Sequence, residues 1–277
     1  MTQPMQRSES RSPRRPSQRQ ASEAVTAAIA GILFVLAPAP ASAQGSPWTD
    51  DFGYVMAETP YDWVELASEP GASNLSGITS GNTAEIVTLP WNFPYYAASY
   101  GELRVGGSGA AGFSYTNHTN SFSQVGPLPT SGLGSNTPDL AVHSDNFAGA
   151  PNFGAPVWSW HDILADRFIV SWEDAPRNFS SSGVFSHPRS FQLHLYPTGR
   201  IEYHYELLSS GQFDFGSSAS VGIQDYAGGS HTSGNFLQFS NHEPILQEQW
   251  ALAFVPPGRH RAGVRLLGHP RLAHPAG

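Results

Sequence analysis

The chain has 277 residues, 28 of them glycine and 23 proline, with 12% aromatic and only 13% charged side chains; so few charges leave long amphipathic helices without wet faces, and so many turn formers favour short strands. All 14 basic residues are arginine; five lie before position 24 and four beyond 258, so residues 44–258 carry five arginines against twenty carboxylates, a net of −15 that argues against nucleic acid and anionic lipid as partners. Cysteine is absent, which excludes a cysteine nucleophile, thiolate zinc sites, disulfides and a lipidated N-terminal cysteine.

Residues 1–43 read as a signal peptide. Arg7, Arg11, Arg14, Arg15 and Arg19 precede an apolar run from Ala24 to Leu36, and Ala41-Ser42-Ala43 supplies the small-residue cleavage site. The run is shorter than the ~20 residues that span a bilayer. Pro16 follows the arginine pair where a twin-arginine signal needs apolar residues, so the general secretory pathway is expected. The product is then secreted or periplasmic, with no membrane insertion after signal cleavage.

From Trp48 the chain alternates short apolar runs with clusters of Gly, Pro, Asn, Asp and Ser, the pattern of strands and turns. Strands are expected at 62–67, 83–89, 95–105, 140–143, 156–164, 167–173, 190–196, 200–208, 219–224, 236–240 and 250–255. The clearest unit is a hairpin over 190–208. Its connection, Tyr196-Pro197-Thr198-Gly199-Arg200, places Pro where a type I turn wants it and Gly at the left-handed position. This loop pairs Leu195 with Ile201 and Leu193 with Tyr203, which puts Phe191, Leu193, Leu195, Ile201, Tyr203 and Tyr205 on one face. Gln192, His194, Arg200, Glu202 and His204 fall on the other, which is expected to be wet. Repeated hairpins of this kind need a second sheet to cover the apolar face. The expected fold is therefore all-β, a single-domain, two-sheet antiparallel β-sandwich of jelly-roll type over 44–257. Residues 258–277, rich in Arg, His, Gly and Pro, read as a basic, disordered tail.

Several phrases carry a resemblance. Tyr61-Asp62-Trp63-Val64-Glu65-Leu66, Val87-Thr88-Leu89-Pro90-Trp91-Asn92-Phe93-Pro94-Tyr95-Tyr96, Asp139-Leu140-Ala141 with Asp145-Asn146, Arg167-Phe168-Ile169-Val170-Ser171-Trp172, Pro197-Thr198-Gly199-Arg200-Ile201 and Val221-Gly222-Ile223-Gln224 occur in order over about 50–255. Together they resemble an extracellular β-sandwich module recurrent in secreted bacterial multidomain proteins, accessory or adhesin-like in role. That resemblance implies a noncatalytic module and supplies no site residues.

Three kinds of site remain to be weighed. His194, Glu202 and His204 share one hairpin face and could ligate zinc, or simply form a solvated polar ladder. Trp158 and Trp160 share one strand face and could stack on sugar rings; their alternation also matches Phe168, Val170 and Trp172 on the next strand, which points to core packing. Carboxylates at Asp50-Asp51, Asp139, Asp145, Glu173-Asp174 and Asp214 could hold calcium, although none has the spacing of a dedicated loop. No G-x-S-x-G, H-E-x-x-H or phosphate-loop motif is present. The first reading is a noncatalytic module that engages extracellular protein or polysaccharide and needs no cofactor. The alternative is a jelly-roll polysaccharide hydrolase that pairs two of Asp162, Glu173 and Asp214.

Overall fold

A computed structural model describes residues 48–113, 126–129, 140–147, 156–178, 185–208, 214–225, 235–258 and 265–266. The signal segment lies outside the described residues. The strands are β1 (Trp48–Thr49), β2 (Val55–Thr59), β3 (Ser73–Asn74), β4 (Ala84–Tyr95), β5 (Ala98–Gly106), β6 (Ala110–Gly112), β7 (Leu140–Ser144), β8 (Val157–Asp162), β9 (Arg167–Asn178), β10 (Phe185–Leu195), β11 (Ile201–Leu207), β12 (Ser220–Gln224), β13 (Phe236–Asn241), β14 (Trp250–Val255) and β15 (Arg265–Leu266). Two antiparallel sheets form a β-sandwich. The first runs β1-β2-β14-β11-β10-β9-β8-β3, with β15 also paired to β2; the second runs β13-β12-β7-β6-β5-β4.

The 190–208 hairpin has the register its loop dictates, with Leu195 opposite Ile201, His194 opposite Glu202 and Leu193 opposite Tyr203. Its apolar face joins a continuous core with Phe168, Val170 and Trp172 of β9 and with Val87, Leu103, Leu140 and Val221 of the second sheet. Three large side chains of the first sheet also reach backbone carbonyls of the second. Trp172 Nε1–H donates to Gly106 O (2.9 Å), the Tyr203 hydroxyl to Gly222 O (2.9 Å) and the Tyr205 hydroxyl to Val142 O (2.7 Å). Each polar tip is thereby satisfied inside the core, where an unpaired one would carry a desolvation cost. Gly222 must be glycine, since an added Cβ would sit 2.2 Å from Leu237 O.

The other face of the hairpin departs from expectation. Gln192, His194 and His204 are fully buried and Glu202 nearly so, so the ladder is not solvated. Topology explains this. β2 and β3 lie towards opposite edges of the first sheet, and the chain between them must cross that sheet's outer face. Residues 62–67, expected as a strand, belong instead to this crossing strap, which includes a short 3-10 turn at Leu66–Ser68. The short strands β1, β2, β3 and β6 lacked a readable alternation. Within the tail, Arg265 and Leu266 pair with Glu58 and Ala57 of β2.

Replacing Tyr205 by Phe keeps the ring and leaves Val142 O buried without its donor. Equilibrium urea unfolding should show a loss of about 1–3 kcal/mol with an unchanged denaturant slope.

Candidate functional site

The strap and the outer face it covers form the densest polar network among the described residues. Tyr61 donates to Glu206, and Asp62 pairs with Arg167 Nη1 at 2.6 Å. Val64 exchanges two bonds with the Gln192 side chain, its N–H reaching Oε1 (3.3 Å) and its carbonyl accepting from Nε2 (2.6 Å). In effect Gln192 supplies the strap with one rung of a β-ladder that the sheet itself cannot offer.

Beneath the strap, His194, Glu202 and His204 come together, each offering one possible ligand atom within 4.8 Å of the others. The two imidazoles stack with centroids 4.0 Å apart. Their protons follow from their neighbours. His204 Nδ1 accepts the Asp62 N–H (3.2 Å), so Nε2–H donates to Glu202 Oε2 (3.1 Å). His194 Nδ1 accepts from Arg167 Nη1–H (3.2 Å), so Nε2–H donates to Gln192 Oε1 (3.0 Å). Burial first, then His204 and the Arg167 charge, hold His194 well below the usual histidine range. Burial would raise the Glu202 carboxyl, but the His204 bond, the Arg200 charge and the Tyr196 hydroxyl outweigh it and bring it to about 2. Both imidazole lone pairs are committed, and a guanidinium stands where a second cation would have to approach. The arrangement fits a neutral hydrogen-bonded stack better than a metal centre.

Trp158 and Trp160 lie opposite Ser171 and Ile169 on the outer face, whereas Val157, Ser159 and His161 oppose Trp172, Val170 and Phe168 on the core face. The core-packing reading of the tryptophans is therefore corrected: they share their face with the strap, not with Phe168, Val170 and Trp172. Both are half-buried, and Trp160 Nε1–H donates to Pro70 O at 3.2 Å. The one-residue offset arises because Val157, not Trp158, pairs with Trp172.

At the end of this hairpin, Ile163 and Leu164 are 76% and 99% exposed. The turn that carries them is braced. Asp162 accepts the Ala165 N–H (3.1 Å) and Arg167 Nε–H (3.0 Å), and Asp166 takes a left-handed conformation at φ 52°. The strand expected over 156–164 ends at Asp162, before this pair. The available signal was two aliphatics between two aspartates, at a place where turn chemistry calls for polar residues.

Of the other calcium candidates, Asp50, Asp145, Glu173 and Asp214 have internal partners, whereas Asp51 is exposed. Asp50 accepts the Gly53 and Tyr54 N–H groups and the Tyr96 hydroxyl. Asp145 holds Arg177 and Ser218, and Asp214 pairs with Arg189. Glu173 accepts the Ser171 hydroxyl. Asp162 and Glu173 sit about six residues apart along the β8–β9 ladder, roughly 20 Å at strand rise, too far for a paired-carboxylate site. Asp139 lies outside the described residues.

A family model described as NIDO related matches residues 53–252, most of the sandwich. The chain belongs to the NIDO-related family. That membership makes it an extracellular-type interaction module. No curated protein and no solved structure matches the chain at a significant level. No helix among the described residues is long and apolar enough to cross a membrane.

Two outcomes follow from the buried histidines of this NIDO-related domain. His143 is fully buried and stacks on Phe191, with neither ring nitrogen hydrogen-bonded among the described residues. Burial lowers it to about 4, against the opposing pull of Asp145 and with help from Arg189 and Arg177. The unfolded chain then binds a proton that the folded chain refuses, so stability is present above about pH 6.5 and drains away as pH falls towards 4. Between pH 6 and 5, stability from urea unfolding should fall, with a contribution from this residue approaching about 1.4 kcal/mol per pH unit, and His143→Leu should remove that contribution while the one from His194 persists. Saturating zinc should leave the thermal midpoint unchanged. A rise that disappears in the His194→Ala/His204→Ala double variant would establish a metal centre instead.

Proposed function

We infer that this NIDO-related domain is a noncatalytic, exported bacterial module that binds an extracellular protein through the end of the β8–β9 hairpin. The observation that carries the reading is the exposed Ile163–Leu164 pair on a turn braced by Asp162. Two adjacent aliphatics at such exposure are costly to leave in water, while a braced turn loses little freedom on docking. At the base of the turn Trp160 lies on the outer face, and His161 on the other face meets Trp91 edge-on at 5.4 Å. Aliphatic anchors suit a pocket on a protein better than a sugar ring, which prefers an open aromatic face. Export through the general secretory pathway and action without a metal or organic cofactor accord with this role.

The test is site-specific photo-crosslinking on the producing cells with a reactive side chain at position 164, controlled by the same group at the exposed position 86. A discrete protein adduct at 164, lost in Ile163→Asp and absent at 86, is expected. Glycan-array binding that requires Trp158 or Trp160, without any protein adduct, would replace the reading with a polysaccharide-binding one. Hydrolysis of a polysaccharide by the purified chain would replace it with the enzymatic one.

A further inference from the structure

Ser171 of β9 and Gln192 of β10 are direct cross-strand partners, both fully buried under the strap. Ser171 Oγ lies 3.1 Å from Gln192 Nε2 and donates its own proton to Glu173 Oε1, also at 3.1 Å. Gln192 Oε1 receives the His194 Nε2–H (3.0 Å) and the Val64 N–H (3.3 Å). An alcohol whose proton is held by a carboxylate thus stands beside an amide whose carbonyl oxygen already accepts two N–H donors. Those are the parts of an acyl transfer: nucleophile, base and oxyanion hole.

We propose that Ser171 and Gln192 of this chain join in an intramolecular ester cross-link, with release of ammonia. Ser171 Oγ attacks Cδ of Gln192 while Glu173 takes the hydroxyl proton. Charge that develops on Oε1 is stabilised by His194 Nε2–H and Val64 N–H. As the tetrahedral centre collapses, the Cδ–Nε2 bond breaks, Glu173 returns its proton to the departing nitrogen, and ammonia leaves. One C–O bond replaces one C–N bond; nothing is oxidised or reduced, and no co-reactant is consumed.

Three features of the site favour the step. The ladder register and the Nε2–H bond to Val64 O (2.6 Å) fix the amide beside the hydroxyl, so little positional freedom has to be lost. Burial raises the Glu173 carboxyl, against the opposing Ser171 bond, which makes it a better proton acceptor than an exposed carboxylate. The strap keeps bulk water from the product, which would otherwise hydrolyse. Such a bond also suits an exported chain that has no cysteine, because it staples two central strands without an oxidant.

Intact-mass spectrometry of the purified, folded chain decides the matter. The expected main species is lighter than the sequence mass by one ammonia, and tandem spectra show the peptides that carry Ser171 and Gln192 joined. Hydroxylamine should separate those peptides, and Ser171→Ala and Glu173→Gln should restore the full mass. Gln44, which signal removal would expose, can lose ammonia by cyclising, so the Ser171→Ala comparison is essential. Full sequence mass in a natively folded sample, or an ammonia loss that persists in Ser171→Ala, overturns the proposal and leaves Gln192 as a hydrogen-bonding bridge to the strap.

Discussion

The passage of the chain across the outer face of the first sheet sets most of what is unusual in this domain. Leaving β2 near one edge and arriving at β3 on the other, residues 60–72 traverse strands that would otherwise face water. The strap has few ladder partners of its own, so its polar groups must be met from below. Gln192, His204 and Arg167 meet them. Once covered, those side chains are themselves cut off from solvent and need further partners in Glu202, Arg200, Tyr196, Ser171 and Asp162. The network is thus a consequence of one crossing, propagated by the rule that buried polar groups must be paired.

The opposite face of the same sheet solves a different problem. Its aromatic side chains fill the space between the sheets, and three of them end in donors that find carbonyls across the core. A sandwich built in this way is held by packing and by short polar contacts between sheets. It has no disulfides, and several of its few arginines sit in ion pairs such as Arg167–Asp162 and Arg177–Asp145. The hairpin end at Ile163–Leu164 is the most exposed apolar feature among the described residues.

Alternation, turn chemistry and loop length were enough to read most of the longer strands, the Leu195–Ile201 register and the need for two sheets. They also brought His194, Glu202 and His204 onto one face. Three things were not readable. Very short strands such as β3 and β6 offer too few residues for a period to emerge. The faces of β8 depend on which of its residues pairs with Trp172, and a shift of one residue reverses them. The burial of His194 and His204 depends on a segment more than a hundred residues away in the chain.

By itself, then, the sequence determined the class of fold, the hairpin register and the identity of the residues on each hairpin face. These depend on neighbours within a few positions, where backbone geometry allows only a small number of arrangements. Tertiary structure alone decided which faces are wet, which protons the two imidazoles carry, and that Ser171 and Gln192 are buried together with Glu173 in reach of the Ser171 hydroxyl. The physical reason is that burial is a property of the whole path of the chain. A polar residue acquires its chemistry only when a distant segment removes the water from it.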